Sequence, residues 1–134
     1  MSDATRTAIP STEGQITFFY YADMDAAERF YGTVLGFEKT FDKGWVKFFR
    51  LADHAQVGLI DEARGHHKAG HAGGVMLSIE TSELEAWYAR AKAGGAEFIK
   101  PLNPDRTTNE LVNAFLMRDP GGYSVEFFRF NETA

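Results

Sequence analysis

The pattern of apolar and polar positions in the first half of the chain predicts one strand, one helix and three further strands. The mostly apolar run Ile16–Ala22 has the length of a strand. The stretch after it carries apolar residues at helical spacing, namely Phe30, Tyr31, Val34 and Leu35. Three strand-like runs separated by turn residues follow: Glu38–Phe41, Trp45–Leu51 and Gln56–Ile60. The first half therefore predicts the order β-α-β-β-β.

The second half repeats this order. Val75–Glu80 predicts a strand, and helical spacing follows at Leu84, Trp87, Tyr88 and Ala91. Three more strand-like runs complete the half: Ala96–Lys100, Asn113–Arg118 and Tyr123–Phe128. The separation of the helix-start positions Asp23 and Thr81 equals that of the helix-end glycines Gly36 and Gly94. Since neither half buries its sheet alone, the two copies are expected to pack together.

Each predicted helix has a start signal and a stop signal. Asp25 with Glu28, and Ser82 with Glu85, place a capping oxygen three residues before a carboxylate. Gly36 and Gly94 suit the left-handed position that commonly ends a helix. The predicted boundaries are a mobile polar tail over residues 1–13, a first module over 14–60, a linker over 61–73 and a second module over 74–130.

Composition narrows the function classes. The 134 residues suit one domain, and the absence of cysteine excludes disulfides, thiolate metal sites and cysteine nucleophiles. The net charge is -5 with no basic cluster, which argues against nucleic acid as a partner. No apolar run is long enough for a membrane span, and the first residues lack the pattern of a secretory signal. The absence of cysteine fits a cytoplasmic protein, which is the location we expect.

Two segments carry a family resemblance. Residues 30–37 have the sequence FYGTVLGF, and residues 119–126 have the sequence DPGGYSVE. Both resemble motifs of the vicinal oxygen chelate superfamily, which includes glyoxalase I, bleomycin resistance proteins and extradiol dioxygenases. The resemblance covers the chain from about Gln15 to Phe130. It implies an α+β fold of two βαβββ modules whose sheets enclose a cavity, and a homodimer, as in small members.

Many members of this superfamily hold a divalent metal with one residue from the first and one from the last strand of each module. The resemblance places these positions at Ile16, Gly58, Gly74 and Glu126. Only Glu126 carries a metal donor, whereas an open catalytic site generally has about three protein ligands. We therefore expect no cofactor, with a divalent metal as the alternative.

The four histidines are weaker candidates for metal ligands. His54 falls in a predicted turn, and His66, His67 and His71 lie in the glycine-rich linker, which gives them no fixed geometry. Arg106, in the longest predicted loop, is a candidate to close over a ligand, although a solvated loop arginine is more typical.

Strand alternation predicts which residues line the cavity. If Val125 and Phe127 pack under the helices, Glu126 points into the cavity, where it is a candidate acid or base, or a hydrogen-bond acceptor for a ligand. The other predicted lining residues are Ile16, Phe18, Tyr20, Gly74, Met76, Ser78, Ser124 and Phe128. The third strand contributes either Trp45, Lys47 and Phe49 or Val46, Phe48 and Arg50.

This lining is mostly aromatic and apolar, which suits a small hydrophobic organic molecule oriented by a few polar contacts. The favoured hypothesis is a bleomycin-resistance-like protein that binds such a molecule in a metal-free cavity. The alternatives are a metal-dependent lyase or dioxygenase of the glyoxalase type, and a metal-free enzyme in which Glu126 is the acid–base group. A further possibility is a module whose cavity is filled and which serves only in protein interactions.

Overall fold

The computed structural model describes residues 9–65, 67–70, 73–103 and 111–131. The predicted tail therefore lies mostly outside the described residues, although 9–13 are described and exposed. The first module contains β1 (Gln15–Tyr21), α1 (Met24–Glu28, continuing as a π-helix over Arg29–Val34), β2 (Lys39–Asp42), β3 (Val46–Ala52) and β4 (Ala55–Asp61). The second contains β5 (Met76–Glu80), α2 (Leu84–Ala93), β6 (Glu97–Lys100), β7 (Val112–Arg118) and β8 (Ser124–Phe130).

Each module forms its own four-stranded sheet. The strand orders are β1-β4-β3-β2 and β5-β8-β7-β6, so the first strand of each module lies at an edge. That first strand runs parallel to the last one, while the remaining neighbours are antiparallel. The predicted α+β fold of two βαβββ modules is confirmed.

The helix ends differ in detail from the prediction. Asp23, rather than Asp25, caps α1, because its carboxylate accepts a hydrogen bond from the Ala26 N–H at 3.0 Å. In the second module the Thr81 hydroxyl, rather than that of Ser82, accepts from the Glu83 N–H, so that α2 begins later. Gly36 has the predicted left-handed backbone, but the second such glycine is Gly95 and not Gly94.

The π-helical part of α1 contains the first five residues of the FYGTVLG motif, residues 30–34. Its hydrogen bonds reach five residues back, as from the Leu35 N–H to the Phe30 carbonyl at 3.0 Å. This wider turn leaves the side chains of both Phe30 and Tyr31 buried. The Tyr31 hydroxyl thereby reaches the second module, as described below.

Strand register shows which positions of the two modules are equivalent. Phe18 lies opposite Gly58 in the first sheet, and Ser78 lies opposite Glu126 in the second. Phe18 on β1 is therefore equivalent to Ser78 on β5, and Gly58 on β4 is equivalent to Glu126 on β8.

This register corrects the spacing of the internal repeat. The prediction equates Asp23 with Thr81, but α1 begins directly after Asp23, whereas α2 begins after Glu83. The predicted repeat is therefore too short for the first strands. The residue equivalent to Ile16 is consequently Met76, rather than Gly74.

The helix-covered faces of the two sheets share one core. Phe19 and Phe49 from the first module and Phe115 and Phe127 from the second are buried in it. The helices also meet, since the Arg90 Nε of α2 donates to the Leu35 carbonyl at 2.8 Å. Each sheet consequently has one face against the helices and one face, which we term its open face, on the opposite side.

The turn between β7 and β8 packs against the edge of β1 through Tyr123. The Tyr123 ring stacks on that of Phe19 with centroids 4.1 Å apart. Its hydroxyl accepts from the Tyr20 N–H and donates to the Tyr20 carbonyl, both at 3.2 Å. These backbone groups point away from β4, so the phenol of Tyr123 satisfies an otherwise open strand edge.

Asp119 anchors the same turn. It is 4% exposed, and its Oδ2 accepts from the hydroxyls of Tyr21 and Tyr31, the latter at 2.8 Å. Its Oδ1 accepts from the N–H groups of Gly121 and Tyr123, both at 2.9 Å. Burial raises the pKa of the Asp119 carboxyl, and these hydrogen bonds partly offset that effect. Asp119 thus ties the second module to β1 and α1.

Replacing Asp119 tests this anchor. Asp119→Ala is expected to lower the free energy of unfolding by about 2–4 kcal/mol, because buried donors lose their acceptor. Asp119→Asn should cost less, since its amide can donate to the tyrosine oxygens and its carbonyl can still accept from the N–H groups. Urea unfolding gives both values. Asp53→Ala, in the exposed turn of the first module, is the control, and an equal loss in it would contradict the anchor role.

Candidate functional site

The open face of the first sheet carries a groove of about 540 Å³ beside β2, β3 and the start of β1. Phe41 and Phe48 stack there with centroids 4.9 Å apart, and Phe18 packs edge-on against Phe48 at 5.9 Å. Phe18 remains 44% exposed. In the described part of the chain, therefore, this aromatic surface is left largely uncovered.

Polar groups stand at the end of this groove. Arg50 donates through Nε to Glu38 at 3.2 Å, and both side chains are well exposed. The Thr40 hydroxyl is hydrogen-bonded to the Gln56 side chain. The groove therefore combines an aromatic floor with Arg50 and a hydroxyl–amide pair. Its other polar lining residues are Glu13, Gln15, Asp53 and His54.

Gly58 explains how the Phe18 ring can lie flat on the sheet. A Cβ placed on Gly58 would come within 2.6 Å of the Phe18 ring carbons. Its neighbours Val57 and Leu59 are fully buried on the helix side. The absence of a side chain at 58 thus makes room for Phe18 on the open face.

The open face of the second sheet contains the predicted carboxylate. Glu126 is half-buried, and its Oε1 accepts from the Ser78 hydroxyl at 2.5 Å. Met76 is 49% exposed on the neighbouring strand, and Phe130 is 51% exposed further along β8. Ser124 and Phe128 share the face with Glu126, since all three alternate with the buried Val125 and Phe127.

The burial of individual side chains shows which strand residues lie on the helix-covered faces and which lie on the open faces. Val125 and Phe127 pack in the core, as do Phe19 and Leu77, which leaves Phe18, Tyr20, Met76 and Ser78 on the open faces. The two alternatives for β3 are also resolved. Lys47 pairs with Glu28 of α1 at 2.5 Å and Phe49 is buried, so the open face carries Val46, Phe48 and Arg50.

The four positions implied for a metal do not form a ligand set. Ile16 lies opposite Gln56, Gly58 lies opposite Phe18, and Gly74 precedes β5 with left-handed backbone. The neighbour of Glu126 across the sheet is Ser78, which offers only a hydroxyl. Within the described ranges, no three histidine, aspartate or glutamate side chains are grouped so as to hold a metal ion. These residues do not fit a catalytic divalent cation.

The two described histidines, His54 and His67, contact residues of β1 and not Glu126. His54 is exposed in the β3–β4 turn, and its carbonyl accepts from the Gln15 N–H at 2.9 Å. His67 is exposed, with its ring 5.2 Å from that of Tyr20. His66, His71 and Arg106 lie outside the described residues. Neither helix of the described segments is long and apolar enough to span a membrane.

Comparison with protein families now identifies the domain. Residues 14–127 match the Glyoxalase/Bleomycin resistance protein/Dioxygenase superfamily. The chain belongs to this superfamily. The resemblance predicted from the FYGTVLGF and DPGGYSVE segments is therefore confirmed. No curated protein matches the sequence at a significant level.

Several solved structures share the fold. TioX from Micromonospora sp. ML1 is 18% identical, with a TM-score of 0.71, and the match covers 89% of this chain and 99% of that one. A glyoxalase/bleomycin resistance protein/dioxygenase from Nocardioides is 21% identical, with a TM-score of 0.67 and coverages of 98% and 93%. Lactoylglutathione lyase from Agrobacterium tumefaciens is 26% identical, with a TM-score of 0.64 and coverages of 90% and 95%.

Sequence reasoning did not single out several residues of the open faces. Thr40, Phe41 and Gln56 line the groove of the first sheet, and Phe130 extends the apolar surface of the second. Strand alternation could have placed Gln56 on the open face, because Gln56 and Gly58 both flank Val57, which is buried on the helix side. Thr40 and Phe41 were not, since an irregularity between Lys39 and Phe41 interrupts the alternation of β2.

Gly58→Ala tests the placement of Phe18. The added methyl group is expected to displace the Phe18 ring from the sheet, while the core on the other face remains intact. The Tm should therefore change by only a few degrees, corresponding to about 1 kcal/mol or less, whereas the NMR signals of Phe18 and Phe48 shift. Gly70→Ala, where an added Cβ meets no atom within 4 Å, is the control. Unmoved aromatic signals would show that Phe18 does not lie over Gly58.

Proposed function

We propose that the protein binds a small, largely apolar or aromatic organic molecule on the open faces of its sheets, without a catalytic metal. The supporting observation is the combination of exposed Phe18 and Met76 and half-buried Phe48 with Glu126 as the single carboxylate at the positions implied for metal ligands. Aromatic surfaces with few polar groups are typical of sites for hydrophobic ligands.

A second copy of the chain would be needed to enclose such a molecule. The modules pack through their helix-covered faces, so the open faces do not cover one another. A homodimer in which the first sheet of one chain faces the second sheet of the other would enclose the ligand between Phe18 and Phe48 on one side and Met76 and Glu126 on the other. This arrangement would also cover the exposed apolar side chains.

Glu126 would orient the ligand by accepting a hydrogen bond from it. Its Oε1 is occupied by Ser78, which leaves Oε2 to accept a hydrogen bond from a donor group on the ligand. Across the proposed dimer, Arg50 offers the opposite chemistry, since only its Nε is paired within the described residues. A ligand with an apolar body and a hydrogen-bond donor at one end suits this arrangement.

The expectation of a cytoplasmic location rests on the absence of cysteine and remains a prediction.

Metal analysis of untagged protein tests the metal-free part of the proposal. We expect well below one equivalent of zinc, nickel, manganese or iron per chain, because the donor set is incomplete, and no change in Tm on adding a chelator. Near-stoichiometric metal together with a chelator-induced fall in Tm would instead favour the glyoxalase or dioxygenase type of enzyme.

Glu126→Gln separates binding from acid–base catalysis. A ligand found by thermal-shift screening should still bind to the variant, with an affinity changed by about tenfold or less, because the amide retains an acceptor. Ser78→Ala is the matched control, since it removes the hydrogen bond but keeps the carboxylate. If any turnover detected for the wild-type protein falls by about 10²–10⁴ in Glu126→Gln alone, the chain is a metal-free enzyme instead.

A further inference from the structure

One pair of equivalent positions on the helix-covered side carries side chains of very different size in the two modules. By the register of the sheets, Tyr123 of the second module corresponds to Ala55 of the first. Each residue closes the hairpin before the last strand, since Tyr123 bonds Asp119 and Ala55 pairs with Ala52. Tyr123 fills its position with a phenol ring, whereas Ala55 has only a methyl group.

A groove of about 570 Å³ lies where the counterpart of the Tyr123 ring would be. Its first-module wall contains Leu51 and Ala55, and its second-module wall is β5, ending at Ile79 and Glu80. By the same register, Ile79 is equivalent to Phe19, the residue on which the Tyr123 ring stacks. The groove therefore has the same position relative to β5 that the Tyr123 ring has relative to β1. Its other lining residues are Gln15, Thr17, Ala52, Met76, Leu77 and Ser78.

The strand edge in this groove is open. The Thr81 N–H bonds the Phe128 carbonyl on β8, so by alternation the N–H and C=O of Glu80 point away from β8. No hydrogen bond joins these two groups to any of the described residues. The equivalent groups of Tyr20 are both bonded by the hydroxyl of Tyr123. A donor and an acceptor are thus available side by side at Glu80.

No aromatic side chain of this chain fills the groove. Every Phe, Tyr and Trp belongs to the described residues, and none of them lines it. We infer that this groove is a binding site for a small phenol, whose ring lies between Ile79 and Ala55 and whose hydroxyl accepts from the Glu80 N–H and donates to the Glu80 carbonyl. The phenol reproduces the contacts that Tyr123 makes with Phe19 and Tyr20.

Most side chains of this groove differ from those of the proposed ligand site on the open faces, and Met76 and Ser78 line both. Leu51 and Ile79 pack against the core on the helix side of their strands, and Ala55 alternates in line with the buried Val57. Glu126 and Phe18 lie on the opposite side of the sheets, and neither lines the groove. The inference does not rest on the proposed function, and the two sites can be tested separately because Ile79, Leu51 and Ala55 report on the groove, whereas Phe18 reports on the open face.

The test is a titration with 4-methylphenol followed by methyl NMR. We expect saturable shifts of the Ile79, Leu51 and Ala55 methyl signals. The ether 4-methylanisole, which cannot donate a hydrogen bond, should bind about tenfold more weakly at these residues, because the Glu80 carbonyl is left without a donor. Equal binding of the two compounds would overturn the role assigned to Glu80, and shifts confined to Ile16 on the open face would overturn the site.

Ala55→Tyr provides a matched variant, because it supplies the missing ring from the chain itself. It should raise the Tm and abolish the shifts of Ile79 and Leu51 on adding 4-methylphenol. Ala55→Ser, which leaves the groove empty, should retain them. Persistence of the shifts in Ala55→Tyr would contradict the inference. If Ala55→Tyr fails to fold, the comparison of phenol with ether in the wild-type protein still decides it.

Discussion

The contact between the β7–β8 turn and the edge of β1 determines how the rest of the molecule is arranged. Tyr123 satisfies the backbone of Tyr20 and stacks on Phe19, while Asp119 accepts the hydroxyls of Tyr21 and Tyr31. All of these contacts lie on the helix-covered side of the sheets. They join the modules there, and for that reason Phe18 and Met76 remain exposed on the other side. Both the open faces and the groove beside β5 follow from this one attachment.

The order of the elements and the inward-facing residues could be predicted from sequence because they depend on local alternation. Burial of Phe19, Leu77 and Val125 follows from the same period of two that defines a strand. The parity of β3 could not be settled in this way, since both of its faces carry an aromatic residue. It is decided by a contact distant in sequence, the ion pair between Lys47 and Glu28 of α1.

Which residues of the two modules are equivalent could not be predicted from the spacing of the repeat, because this too depends on strand pairing. Asp23 and Thr81 look alike as helix starts, yet Asp23 caps its helix directly, whereas Thr81 bonds the Glu83 N–H and α2 starts after it. Only the pairing of β5 with β8 shows that Ser78, and not Gly74, is next to Glu126. The groove beside β5 could not be predicted either, because it depends on contacts between modules.

The same register shows that Phe18 occupies the space beside one of the positions implied for a metal ligand. Gly58 and Glu126 are equivalent, but the space that a side chain at 58 would need is taken by the Phe18 ring, 2.6 Å from the position of a Cβ. A carboxylate at 58 therefore requires the Phe18 ring to leave its present position on the sheet. The first sheet has the ring and the second has the carboxylate, with Ser78 at the position equivalent to Phe18. One open face is thus built to contact an apolar surface, and the other to accept a single hydrogen bond.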